Sequence, residues 1–211
     1  MRFDADGVTL EGDLIVPDRA SGVVLFAHGS GSSRFSSRNR YVAETLREGG
    51  LGTLLIDLLT PKEEAVDEMT AHLRFDIPML ARRLVGATKW LGEQEQTKKL
   101  SVGLFGASTG GGAALVAAAE IPDQIKAVVS RGGRPDLAGR ALPRVKAPTL
   151  LIVGGDDIPV IEMNRDAYEQ MTAERRMEIV PGASHLFEEP GTLEQVARLA
   201  REWFVRYLNH G

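Results

Sequence analysis

The chain is expected to fold as an α/β protein: a doubly wound, mostly parallel sheet of about eight strands, led by an antiparallel hairpin and lacking a large cap domain. Three observations predict this. Short, continuous apolar runs of strand length recur along the chain. Segments with helical apolar spacing separate them. Glycine-rich turns stand where several of the runs end. Continuous rather than alternating runs indicate strands covered on both faces, and hence parallel pairing.

The elements follow in order. Phe3–Val16 carries two extended patterns around Asp6-Gly7, a turn dipeptide, and predicts the hairpin. Strand-length apolar runs are Gly22–Ala27, Gly52–Asp57, Leu100–Phe105, Ile125–Val129, Pro148–Val153 and Arg176–Val180. Helical spacing covers Arg38–Glu48, Ile77–Leu91, the alanine-rich Gly110–Glu120, Ile161–Met171 and Leu193–Leu208. The polar, acidic stretch Thr60–His72 reads as a surface excursion. Ser130–Lys146 is too short for a cap. No linker or internal repeat divides the chain, so residues 1–211 are expected to form one domain.

Composition narrows the function. Of 211 residues, 43% are hydrophobic and 26% charged, with a net charge of −4, which suits a folded domain rather than a disordered one. Cysteine is absent, which removes disulfides, zinc–thiolate sites, iron–sulfur clusters and a thiol nucleophile. The acidic balance gives nucleic-acid binding no electrostatic support. The N-terminal MRFDADGVTL has no apolar core of a secretory signal, and no run approaches a bilayer span, so no membrane association and a cytoplasmic address are expected.

The chemistry lies at strand ends. Gly106-Ala107-Ser108-Thr109-Gly110 fits G-x-S-x-G between an apolar run and a helical segment, the context of a nucleophile elbow. Serine needs a base. Of four histidines, His72 precedes Ser108 and sits in the acidic stretch, while His210 is penultimate. His28 ends an early strand and is expected to hold its loop together. His185 follows the last strand and suits the base role. The orienting acid should follow the run ending at Val153, where Asp156 and Asp157 compete. Asp157 is preferred because it closes the turn ahead of Pro159-Val160. The backbone N–H groups of Ser30, in the small-residue loop after Ala27, and of Thr109 suit an oxyanion hole. No P-loop, dinucleotide fingerprint or metal-ligand cluster is present, so neither cofactor nor metal is expected.

The series HGSGSS, GASTGG, GGDD-x-PV and GASH resembles the α/β-hydrolase superfamily, and more narrowly its dienelactone hydrolase-like branch, over essentially the whole chain. The resemblance implies Ser108 as nucleophile, Asp157 as acid and His185 as base, with Ser30 and Thr109 at the oxyanion positions. Dienelactone hydrolases proper use cysteine. The serine here favours cleavage of small carboxylic esters, thioesters or lactones through an acyl-enzyme. A perhydrolase or C–C hydrolase on the same triad, and a non-catalytic ligand-binding protein, are the alternatives. Arginines flank these loops, and Arg34 and Arg131 are candidates to clamp a substrate carboxylate.

Overall fold

The computed structural model describes residues 1–209, so the expectation for His210 falls outside the described residues. β1 (Arg2–Ala5) and β2 (Val8–Ile15) form the hairpin. Its two turn residues, Asp6 and Gly7, take φ of 51° and 75°, the left-handed pair that a two-residue hairpin loop needs.

The remaining strands are β3 (Gly22–Ala27), β4 (Gly52–Ile56), β5 (Ser101–Ala107), β6 (Ile125–Arg131), β7 (Thr149–Gly154) and β8 (Arg175–Val180). They make one sheet of eight in the order β1-β2-β4-β3-β5-β6-β7-β8. β3 to β8 are parallel, and β2 runs antiparallel to β4. Every residue of β3, β4 and β7 is buried, as their unbroken apolar runs require.

β8 departs from the two-sided burial that its run suggested. Only Val180 of this strand is buried. It is the sheet's last strand, and its exposed Arg176 discourages pairing with a further edge.

α1 (Ser37–Glu48) and α6 (Thr192–Leu208) cover one face over a core that includes Phe26, Phe105, Trp203 and Phe204. α3 (Ile77–Glu93), α4 (Thr109–Glu120) and α5 (Ile158–Gln170) lie along the other, over Leu25, Leu84, Leu104 and Leu115. Proline at 159 fits the first turn of α5, where its missing N–H costs no helical bond, so this helix starts earlier than the apolar spacing suggested.

The expected surface excursion Thr60–His72 lies at the surface, with Asp67 alone of α2 (Pro61–Thr70) buried, and it carries that helix. Thr60 Oγ1 accepts the N–H of Glu63, and the Glu63 carboxylate accepts the N–H of Thr60, a reciprocal cap. The T-P-x-E signature was legible; the weak apolar periodicity hid the helix. Asp67 on its inner side is buried and takes the N–H groups of Leu73 and Arg74 as well as the Arg74 guanidinium. Ser130–Lys146 holds short 3₁₀ turns over Pro135–Arg144, broken at Gly139, and no cap domain.

The topology places the site. From β3 the chain moves outward to β4, then crosses back to β5 on the other side of β3. The loops after β3 and β5 therefore diverge at the carboxyl edge of the sheet and open a crevice there. Among the described residues, no helix is long and apolar enough to cross a membrane.

Candidate active site

β5 ends at Ala107, and the next residue, Ser108, has φ 51° and ψ −122° before α4 begins at Thr109. A side chain at positive φ is strained, and the surroundings must hold it there. Two glycines make the turn possible. A Cβ on Gly106 would lie 2.4 Å from the Gly110 carbonyl oxygen, and one on Gly110 would lie 2.3 Å from that of Ala27. The Ser108 carbonyl accepts the N–H groups of Gly111 (2.9 Å) and Arg134 (3.0 Å), and its own N–H donates to Arg131 O. Ser108 is thus pinned at the start of α4, with the positive end of a helix behind it.

His185 stands on the loop after β8. Its Nδ1 is 2.6 Å from Asp157 Oδ2. Asp157 caps α5 just beyond β7, and its side chain is largely shielded. Asp156, the competing acid, is exposed and uses its backbone N–H to reach Ala183 O at 3.0 Å. The geometry separates the two: Asp157 meets the imidazole, and Asp156 ties its loop to the histidine loop. The Glu189 carboxylate accepts the Ser184 N–H at 3.0 Å, fixing the residue before His185, and Ser184's hydrogen bonds hold that carboxyl below its ordinary pKa.

Ser30 and Thr109 face each other across the crevice, with their hydroxyls 3.1 Å apart. Both adjoin Ser108: Thr109 follows it in sequence, and Gly29 packs against its Cβ. His28 braces this loop as expected. Its Nδ1–H donates to Gly29 O at 2.9 Å, and its Nε2 accepts the Leu58 N–H at 3.0 Å, so both nitrogens are satisfied only in the neutral ring. Burial drives its pKa below the ordinary 6.5, partly offset by the Gly29 carbonyl and Asp57.

The sign of the resulting pH effect is determined. The unfolded chain takes up a proton near pH 6.5 that folded His28 refuses. Stability therefore declines as pH falls through that value and levels off below the lower folded-state pKa. Thermal unfolding between about pH 7 and about pH 5 should show a smaller decline in a His28→Gln variant than in the wild type. Parallel declines would contradict the neutral-ring assignment.

The arginines sort differently from expectation. Arg34 does not present a free guanidinium: its terminal nitrogens bind Asp57 and Glu11, with Asp13 at 3.7 Å. Three carboxylates on the β2–β4 side hold it, which removes it as a substrate clamp. Arg134 is likewise held in a two-pronged pair with Asp136.

Arg131 is different. β6 runs two residues past its apolar run, and its register sets Arg131 opposite Ala107, beside the elbow. The residue is 6% exposed, and its Nη2 donates to Asn39 Oδ1 at 3.2 Å. Its Nε is buried without a partner, and among the described residues it forms no salt bridge. Burial, with Arg38 nearby, pushes its pKa down to about 10, so it remains a cation at neutral pH.

Arg38 lies on the same cavity and, among the described residues, pairs only with the exposed Glu188, at 3.1 Å. Ser108, His185, Ser30, Asn39, Arg38 and Arg131 line a cavity of about 180 Å³. Asn39 drew no attention in the sequence, because nothing about an asparagine in a first helical turn signals a partner 92 residues away. A wider groove of about 760 Å³ between the hairpin and α3 contains none of these residues.

Among the described residues, no cluster of histidine and carboxylate side chains is placed to hold a metal. What the arrangement offers is a strained serine, an imidazole oriented by a carboxylate, small-residue backbone near both, and two guanidinium groups.

A sheet in this order, with an elbow after β5 and an acid and a histidine after β7 and β8, has the α/β-hydrolase fold. The model of the family described as "Dienelactone hydrolase family" matches residues 10–209. The chain belongs to the dienelactone hydrolase family. It is similar to a crystal structure of a dienelactone hydrolase from Anabaena variabilis, at 65% identity and a TM-score of 0.97, covering 99% of this chain and 96% of that one. Est1E from Butyrivibrio proteoclasticus, solved with ferulic acid bound, shares the fold at a TM-score of 0.82 and 19% identity, covering 98% of each chain. A Mycobacterium tuberculosis protein, named provisionally as a phosphoribosyl transferase, is 58% identical over 204 residues, covering 97% of this chain. The chain spans 45% of that relative's length.

Proposed function

We propose that the protein is a serine hydrolase that cleaves small carboxylic esters bearing an anionic group. The observation that carries this reading is Ser108, held at positive φ in one cavity with His185, whose imidazole is held by Asp157.

In this reading Ser108 Oγ attacks the ester carbonyl while His185 Nε2 takes its proton. The N–H groups of Ser30 and Thr109 hold the oxyanion. His185 then protonates the leaving oxygen, and a water activated by the same ring hydrolyses the acyl-enzyme. Asp157 keeps the proton of the resting imidazole on Nδ1 and stabilises the imidazolium. Thioesters and lactones present the same carbonyl and belong in the substrate panel. The transferase name of the M. tuberculosis relative attaches to a protein in which this chain corresponds to 45% of the length, and no feature of the Ser108 cavity requires phosphoribosyl chemistry.

Arg131 supports the anionic part of the reading, with Arg38 in place of Arg34. A buried guanidinium whose one hydrogen-bond partner among the described residues is a neutral amide leaves a charge to be compensated. A substrate carboxylate would meet it with charge-assisted hydrogen bonds. The test is a matched pair of esters, one neutral and one carrying a carboxylate. Arg131→Met should lower kcat/KM for the anionic ester by about tenfold to a hundredfold and for the neutral ester by no more than about threefold. Equal losses on both would remove the clamp.

A further inference from the structure

Asn164 is a polar residue in an apolar place. It lies on the buried side of α5 with Val160, Ile161 and Ala167, shut off from solvent. Its side-chain nitrogen donates to the carbonyls of Val160 at 2.8 Å and Gly133 at 3.0 Å. Both partners are acceptors, so the nitrogen and not the oxygen of the amide must face them. The oxygen is buried without a partner among the described residues. A leucine would fill similar space and strand no side-chain oxygen, so packing alone does not account for the amide.

What the nitrogen holds lies beside the reacting groups. The Gly133 carbonyl belongs to the peptide unit that also carries the Arg134 N–H, and this N–H donates to Ser108 O at 3.0 Å. One rigid plane therefore links the amide of Asn164 to the elbow. The same segment passes the histidine: Gly132 takes φ 50°, and a Cβ on it would lie 3.1 Å from His185 O. A Cβ on Gly133 would collide with Ser130 Oγ. Two successive glycines have no side chains of their own to fix them. Among the described residues, Asn164 is the one side chain that bonds to their backbone. The helix that supplies it also supplies the acid, because Asp157 caps α5 about two turns before Asn164.

We propose that Asn164 is a positioning residue for the reaction: it fixes the Gly132–Gly133 segment and thereby the placement of Ser108 relative to His185. This rests on the serine-hydrolase reading above. Loss of the amide should loosen the alignment of nucleophile and base and leave substrate binding in place, since Arg131 is held by the β6 pairing and by Asn39. A misplacement of about 1 Å costs up to about a hundredfold in rate.

The experiment compares the wild type with Asn164→Leu, which removes the donor and keeps the bulk, and with Asn164→Asp, which keeps the shape. Each is followed by turnover of p-nitrophenyl acetate, by its rate of labelling with a fluorophosphonate and by thermal melting. Asn164→Leu should stay folded at the assay temperature, with kcat and the labelling rate lower by about tenfold to a hundredfold and KM within about threefold. In Asn164→Asp a carboxylate faces two carbonyls at high pH, whereas the neutral acid, favoured by burial, regains an O–H donor. Its labelling rate relative to wild type should rise by about tenfold from about pH 9 to about pH 6, while the Asn164→Leu ratio stays flat. Where Asn164→Leu does not fold, this ratio decides. A folded Asn164→Leu with kcat and labelling within about threefold of wild type, a loss confined to KM, a flat ratio in Asn164→Asp, or failure of both variants to fold overturns the positioning role alone. A wild type that neither labels nor turns over overturns the serine-hydrolase reading, and the positioning role with it.

Discussion

Replacing Ser108 by alanine is expected to lower kcat for ester hydrolysis by on the order of 10⁴-fold to 10⁶-fold while the protein stays folded. The size follows from the role proposed for the hydroxyl. Without Oγ there is no acyl-enzyme, and what remains is binding and polarisation of the carbonyl. The fold should survive because alanine keeps the Cβ that the turn already accommodates at φ 51°, and because the bonds that pin the turn are made by backbone groups. Initial rates on p-nitrophenyl acetate, with a melting curve for each protein, measure both halves. A variant with activity within tenfold of wild type would exclude Ser108 as nucleophile; lost activity with a collapsed melting temperature would show a structural role instead.

The second large effect distinguishes two adjacent aspartates. Asp157→Asn is expected to reduce kcat by on the order of 10³-fold to 10⁴-fold. Its amide can still sit near His185 Nδ1, but its NH₂ would donate where the wild type accepts, which favours the wrong imidazole tautomer and withdraws the charge that balances imidazolium. Asp156→Asn should change kcat by less than about threefold, because the exposed side chain makes no contact with the imidazole and the bond to Ala183 comes from the backbone. Rates of the two variants on one ester suffice. Comparable losses in both, or a larger loss in Asp156→Asn, would contradict the 2.6 Å pairing as the functional one.

Much of this was legible because local and global signals agree. The buried parallel strands β3, β4 and β7 announce themselves as unbroken apolar runs, and Asp6-Gly7 sets the hairpin. The elbow was legible for a steric reason. Gly106 and Gly110 stand where backbone atoms come within 2.4 Å of any added Cβ, so that spacing around a serine carries geometric meaning.

The arginines are not legible for another reason: their environment depends on partners far away in sequence. In sequence Arg34 stands free beside the small-residue loop after β3, but Glu11 and Asp57, 23 residues to either side, close on it once β2 pairs with β4. Arg131 looked no different from Arg34, and only the extension of β6 alongside the elbow buries it without a carboxylate. Arg38 flanks the same loop in sequence, yet only folding shows that it shares the Arg131 cavity. Periodicity does not reveal α2, which is held by its cap and by the Asp67–Arg74 contacts rather than by a broad apolar face. β8 reads as a two-sided strand because its sequence does not say that no strand lies beyond it.

The most direct test of the serine mechanism is the mass of the protein after exposure to a fluorophosphonate, followed by peptide mapping. A single phosphonyl adduct on Ser108, absent from Ser108→Ala and slowed by loss of His185, is the predicted result. An unmodified chain that also fails to turn over simple esters, or an adduct that maps to another residue, would contradict it.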